Sequence, residues 1–420
     1  MLVPHTLFRA ADRLAEPLRL LDKPFDEREL IETARRRAGS RQAATDDVLE
    51  PLGRWLTSLA TEARLSVFGR ISARWDALRL LANLLRFREE ERQDPAIAEL
   101  PVPSPIFITG LPRSGTTFLH SLFAEDPGNR VPRCWQTIYP YPLAGEAPTD
   151  TARRRQLVDR QFRTFARLAP ELLSVHPLSA DVPQECSEIT AHVFQSLRFD
   201  TTHTVPSYTA WLDRVGHLEA YHFHKRFLQH LQHQYGTGPW VLKCPDHVFA
   251  LDAIATVYPD ARFVFVHRNP VRILASVARL TEILREPFTR RIDRLAIGRQ
   301  VAERWLDGAR RITDASTEGR FAPQQVSQVH YDRLIRDPLG TVSSLYRHFG
   351  MDLNEPAMER MRAFLAARPR GGYGNNEYRL EDFGLDPEGL REGFRGYTSY
   401  FGIATEARNL RATGQAAAAA

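Results

Sequence analysis

Ile106-Phe-Ile-Thr-Gly110-Leu-Pro-Arg-Ser-Gly-Thr-Thr117 is the stretch on which the reading of this chain turns. The short apolar run Ile106–Gly110 stops at a glycine and reads as a buried strand. Thr116-Thr-Phe-Leu-His-Ser-Leu-Phe123 reads as the helix that follows it. Between them Gly110, Pro112 and Gly115 shape a tight turn. Main-chain N–H groups at the start of the new helix then point at any bound anion. Ser114, Thr116 and Thr117 add hydroxyl donors, and Arg113 adds a cation.

Further along lie three more strand candidates: Trp240–Lys243, Arg262–His267 and Gln325–Tyr331. Each is followed by a helical pattern, near Val248–Val257, Val271–Leu280 and Leu339–Phe349. Apolar strands alternating with helices indicate a parallel sheet covered on both faces, an α/β architecture of three layers. More than a hundred residues with mostly helical patterning separate the first strand from the second, far more than an ordinary crossover. This insertion, about residues 125–238, is expected to cap the sheet's carboxyl edge. Residues 1–100 read as a helical segment packing on the core, with apolar positions at Leu14, Leu18, Leu21 and again at Leu80, Leu81, Leu84 and Leu85. Pro101, Pro103 and Pro105 mark the entry to the unit spanning 101–400. A tail, 401–420, ends in Ala416–Ala420.

Composition sets the bounds. With 420 residues, 43% hydrophobic and 25% charged, the chain can bury a large core, which excludes wholesale disorder. No apolar run approaches ~18 residues, so no membrane span is expected. Met1–Arg9 lacks a basic segment followed by an apolar one, so no signal peptide is expected. Cys134, Cys186 and Cys244 have neither metal-ligand nor disulfide-framework spacing, and a reducing cytoplasm is the simplest fit. The formal charge of +5 favours an anionic partner. It does not demand nucleic acid, because the arginines are dispersed among 51 acidic residues without a basic block. Of the 56 basic residues only three are lysines: Lys23, Lys225 and Lys243. A lysine closing an apolar strand, as Lys243 does, therefore stands out.

The turn nearly matches the phosphate-binding loop G-x-x-x-x-G-K-[ST]. Gly110 and Gly115 are in register, but Thr116 replaces the lysine. A triphosphate enzyme also needs a magnesium-holding carboxylate at a nearby strand end, and the third strand runs into His267-Arg-Asn-Pro270 with no aspartate. A second anion site is suggested by Arg268 at that strand end and Ser276 two helical turns on, with Pro270 in the first helical turn. An arginine there can fork onto a phosphate while the serine completes its shell.

With these two segments the chain resembles the sulfotransferases that use 3′-phosphoadenosine 5′-phosphosulfate (PAPS). In that family a P-[KR]-S-G-T-T loop binds the 5′-phosphosulfate and an R-x7-S stretch binds the 3′-phosphate. Here they are Pro112–Thr117 and Arg268–Ser276. Pro183–Cys186, Trp240–His247, Tyr331–Pro338 and Tyr378–Gly384 look like the bacterial branch, related to the tyrosylprotein type. The resemblance covers roughly residues 100–400 and implies a P-loop-like domain with a central parallel sheet and a helical cap. It implies PAPS as co-substrate, 3′-phosphoadenosine 5′-phosphate as product, no metal, and a hydroxyl (or amine) acceptor on a small molecule, lipid or glycan. Homodimerisation stays open.

The residue roles it implies are these. Pro112, Arg113, Ser114, Gly115, Thr116 and Thr117 hold the 5′ side. Arg268 and Ser276 hold the 3′-phosphate, and Tyr331 lies near the adenine or else belongs to the core. Arg113 and Lys243 are the cations at the bridging oxygen. Relatives use His or Glu as base. His247, four residues after Lys243, is the first candidate; Glu185 and Glu188 come next, then Asp246 and His176. Some relatives carry Trp-Glu where this chain has Trp135-Gln136, and glutamine cannot take a proton. The cap is dense in histidine (His217, His222, His224, His230, His233), but H-E-x-x-H is absent and no third metal ligand is evident. Its aromatics (Trp135, Tyr139, Tyr141, Phe194, Phe199, Tyr208, Trp211) either line an acceptor pocket or fill the cap's own core. Two other readings are a nucleotide-dependent kinase and a nucleotide-binding protein of the same fold without turnover.

Overall fold

The structure is a computed structural model that describes residues 12–16, 20–40, 46–143, 145–147, 150–168, 170–171, 179–367 and 378–404. Four strands form its parallel sheet: β1 (Ile106–Gly110), β2 (Val241–Lys243), β3 (Arg262–His267) and β4 (Val326–His330), in the order β2-β1-β3-β4. Ile106 lies beside Val241 on one side and Arg262 on the other, and Phe263 lies beside Val326. All four expected strands are present to within a residue or so at each end.

Side chains alternate across the sheet. Ile106, Ile108, Val264 and Val266 face a layer containing Leu119, Leu122 and Phe123 of helix α1 (Thr116–Ala124) and Val342 and Leu345. Phe107, Leu242, Phe263 and Phe265 face the opposite layer. That layer holds α2 (Leu218–Tyr235), α3 (Leu251–Val257), α4 (Pro270–Arg285) and α5 (Arg294–Thr317). Phe107 is fully buried, so its truncation to alanine is expected to cost about 3–5 kcal/mol. The N-terminal helices join the same core through Trp55, Leu81, Leu84 and Phe87. Phe87 makes edge contacts with Tyr141 of the insertion and with Phe223 and His230 of α2.

The strand order places the functional crevice. The chain leaves β1 for β2 on one side and leaves β3 for β4 on the other, so the connections diverge above β1 and β3. In open α/β sheets ligands bind at this point, beyond the strands' carboxyl ends. Gly110 ends β1 there with φ 140°, and a Cβ on it would stand 2.3 Å from the Val266 carbonyl oxygen. Only glycine allows the two strand ends to approach so closely.

Candidate active site

A cavity of about 810 Å³ opens above β1 and β3. Its first wall is the turn after β1. Gly115, at φ 96°, is the N-cap of α1 and supplies no capping side chain, so the first amides of the helix face the cavity uncapped. Pro112, Arg113, Gly115, Thr116 and Thr117 line it. The Ser114 hydroxyl is buried and makes no hydrogen bond among the described residues. A buried hydroxyl without a partner is costly; Ser114 is fully buried and does not itself line the cavity. Arg113 adopts φ 62°, a left-handed conformation that non-glycine residues take at some cost and that recurs at ligand-binding turns.

The second wall is the start of α4. Pro270 occupies its first turn and Asn269 caps it, accepting from the Val271 N–H at 3.0 Å. Arg268 and Ser276 both line the cavity. Arg268 donates to the main-chain carbonyl of Arg113 at 2.6 Å and lies over the Tyr331 ring at 3.9 Å. Tyr331 in turn abuts Gly115: a Cβ there would meet its Cδ2 at 3.0 Å. Burial, helped by the charge of Arg268, lowers the pKa of the Arg113 guanidinium. Two guanidiniums this close to one another suit a polyanion.

The third wall begins at the end of β2. Lys243 is buried and its ammonium pairs with the carboxylate of Glu185, which is a third exposed and lines the cavity. Glu185 is placed by main-chain pairing of its segment with the turn after α1: the Gln184 N–H donates to the Pro132 carbonyl at 2.8 Å and the Cys134 N–H to that of Val182 at 3.1 Å. Asp246 lines the same wall. Burial, with the charge of Glu185, pushes its carboxyl up to about 7.

The family model for the sulfotransferase family matches residues 105–355, more than half of the chain. The chain belongs to the sulfotransferase family. A curated relative, omega-hydroxy-beta-dihydromenaquinone-9 sulfotransferase Stf3 of Mycobacterium tuberculosis, is 26% identical over 298 residues, covering 66% of this chain and 70% of its own. The same-named protein of Mycobacterium bovis matches equally. Among solved structures, sulfotransferase STF1 of Mycobacterium tuberculosis is 32% identical with a TM-score of 0.77, covering 89% of this chain and all of its own. Sulfotransferase STF9 of Mycobacterium avium is 26% identical with a TM-score of 0.81, covering 92% and 100%.

In this sulfotransferase the first-choice base of the sequence reading lies elsewhere. His247 is wholly buried on the far side of the strand end, outside the cavity. Its Nδ1 is 2.5 Å from the Tyr221 hydroxyl, its ring packs edge-on to Phe107, and burial holds it well below its ordinary pKa. Residues 245–249 form a single 3₁₀ turn, and consecutive residues of such a turn point about 120° apart. Asp246 therefore meets the cavity while His247 meets the core. Glu188 is committed to Arg79, at 2.6 Å, and to Arg198. Gln136 is buried with its Oε1 accepting from the Arg133 N–H at 3.0 Å. His176 lies outside the described residues.

The cap aromatics are core: Trp135, Tyr141, Phe194, Phe199, Tyr208 and Trp211 are buried, half-buried Tyr139 packs with Trp135, and none of the seven lines the cavity. His230 is engaged by the Tyr141 hydroxyl at 2.7 Å and by Glu91 at 3.2 Å. Among the described residues no three His, Cys, Asp or Glu side chains are grouped to hold a metal ion. Nor is any described helix long and apolar enough to cross a membrane. The sequence reading missed Arg133, Arg198, Asp200, Arg285, Gln300 and Arg304, all of which line the cavity. They come from separated segments, and nothing in their local sequence marks them.

Proposed function

We propose that this sulfotransferase moves a sulfuryl group from PAPS to a hydroxyl of a small, lipid-like acceptor. One observation carries the reading: both anion-binding segments and the Glu185 carboxylate line a single cavity, with Lys243 paired to that carboxylate. The residues present fit the donor, since Gly115 leaves the helix amides open beside Thr116 and Thr117. When bound, the donor supplies an activated sulfuryl group.

The chain's own residues do the rest. The loop amides with Thr116 and Thr117 hold the 5′-phosphate. Arg268, braced on Tyr331 and tied to the loop, holds the 3′-phosphate with Ser276. Arg113 and Lys243 stabilise the negative charge that grows on the bridging oxygen, an effect worth roughly 10²–10³ in rate per donor. Glu185 takes the acceptor's proton, worth roughly 10²–10⁴. The hydroxyl acceptor is carried over from the name of the mycobacterial relative. The test is transfer of ³⁵S from labelled PAPS to hydroxylated acceptors, with and without chelator. Chelator-insensitive, acceptor-dependent release of 3′-phosphoadenosine 5′-phosphate is expected. Turnover of ATP with magnesium in its place would favour the kinase reading.

A further inference from the structure

Beyond Glu185 the cavity continues into a chamber whose polar wall is organised around Asp200. The Gln300 amide donates to both carboxylate oxygens of Asp200, at 2.8 and 2.6 Å. Arg285, nearly fully buried, donates to the Asp200 main-chain carbonyl at 2.5 Å and stands 3.5 Å from its carboxylate. Leu197, Val301 and Trp305 add apolar lining to the same cavity.

The charges in this chamber are compensated. Arg198 pairs with Asp76 and Glu188, Arg285 with Asp200, and Arg304 with Asp213 through two contacts of 2.8 Å. An anionic acceptor would find these three guanidiniums already paired with carboxylates. A purely aliphatic acceptor would strip water from Asp200 and Gln300 and replace none of its hydrogen bonds. A carboxylate has about four lone-pair sites, so Asp200 retains capacity for hydroxyl donors beside Gln300 and Arg285. Trp305 offers a flat apolar surface of the kind that packs against the C–H face of a ring.

We infer that the acceptor presents a neutral headgroup bearing several hydroxyls, of the sugar-ring type, recognised by Asp200 and Gln300. This rests on the sulfotransfer reading above and narrows its acceptor. Asp200 and Gln300 bind the headgroup; the proton and the sulfuryl group move at Glu185 and Lys243.

The test compares n-octyl glucoside, galactoside and maltoside with 1-octanol under labelled PAPS, which holds the alkyl chain constant. At least one glycoside is expected to exceed 1-octanol tenfold or more in kcat/KM. Asp200→Asn and Gln300→Leu are each expected to raise the glycoside KM about fivefold or more, with kcat changed less. Calorimetric affinity for 3′-phosphoadenosine 5′-phosphate should stay near wild type. Equal or better use of 1-octanol overturns the inference. So does turnover of neither class by protein that binds the bisphosphate, or an unchanged glycoside KM in both variants. Failure of the wild-type protein to bind the bisphosphate is a different result, and sinks the donor reading itself.

Discussion

Arg268 donates to the main-chain carbonyl of Arg113 at 2.6 Å, joining two segments 155 residues apart in sequence. The bond ties the residue that begins the second anion site to the turn that forms the first. Tyr331 lies between Gly115 and the Arg268 guanidinium and holds the arginine from below. The spacing between the two sites is therefore fixed before any nucleotide arrives, and a ligand loses less freedom on a preorganised site. On the proposed reading, this spacing is what would discriminate a 3′,5′-bisphosphate from a nucleotide lacking the 3′ group.

Glu185→Gln is expected to lower kcat by roughly 10²–10⁴ with bisphosphate affinity within about threefold of wild type. Lys243→Met is expected to lower kcat by roughly 10²–10³. The check is steady-state kinetics beside calorimetry. Full activity in Glu185→Gln would remove the assigned base.

His247→Gln should separate the first two base candidates of the sequence, His247 and Glu185. The imidazole is buried against Phe107 and outside the cavity. Its replacement is expected to lower the thermal midpoint, because a packed core site is disturbed. The kcat of the folded variant should stay within about threefold of wild type. A hundredfold loss in a variant that melts normally would return the base to His247.

The outcome at these positions shows what was legible. Strands, loop and Arg268 could be read because glycine, proline and apolar runs dictate local geometry wherever they occur. Lys243 stands out because lysine is scarce here, and the structure pairs it with Glu185; its catalytic role is part of the proposal. The choice between Asp246 and His247 could not be read, since it depends on which way one 3₁₀ turn is rotated against Phe107 and Tyr221. The fate of the cap aromatics depended likewise on tertiary packing: Trp55 packs tilted against Phe199 with ring centroids 4.3 Å apart, a contact between segments more than a hundred residues apart. Asp200, Gln300 and Arg285 come together only through α4 and α5 folding against the insertion.

Asp246 gives a pH-dependent stability signature. Its carboxyl titrates near 7 in the fold and in the ordinary carboxylate range when unfolded. Its ionisation therefore costs stability increasingly as pH rises from about 4 to 7, and the cost is constant above that. Asp246→Asn should stabilise the protein more at pH 8 than at pH 5, by a difference on the order of 2 kcal/mol. Denaturant unfolding at the two pH values measures it; an equal effect at both would place Asp246 among ordinary carboxylates.

Buried histidines act in the opposite direction, His247 among them. Burial holds His120, His192, His203 and His224 at about 3 and His267 at about 4. They are neutral in the fold and charge on unfolding below about 6.5. Their contribution is complete above that value and is lost as pH falls, at about 1.4 kcal/mol per histidine per unit. The thermal midpoint should fall as pH drops below about 6.5, with several protons taken up per molecule on unfolding. Calorimetric scans in buffers of different ionisation enthalpy measure that uptake. A thermal midpoint unchanged between pH 7.5 and 5.5 would contradict it.

The central claim is that the two anion sites form one donor cradle, and calorimetric titration with 3′-phosphoadenosine 5′-phosphate tests it most directly. Adenosine 5′-phosphate and the Arg268→Ala variant serve as comparisons. Wild-type protein should bind the bisphosphate at micromolar or better without added metal. Arg268→Ala should lose roughly 10–100-fold of that affinity, as expected for charge-assisted bonds, while its affinity for adenosine 5′-phosphate stays within about threefold. Equal affinity of wild-type protein for the two nucleotides, or an Arg268→Ala variant that binds the bisphosphate as wild type does, would contradict the account.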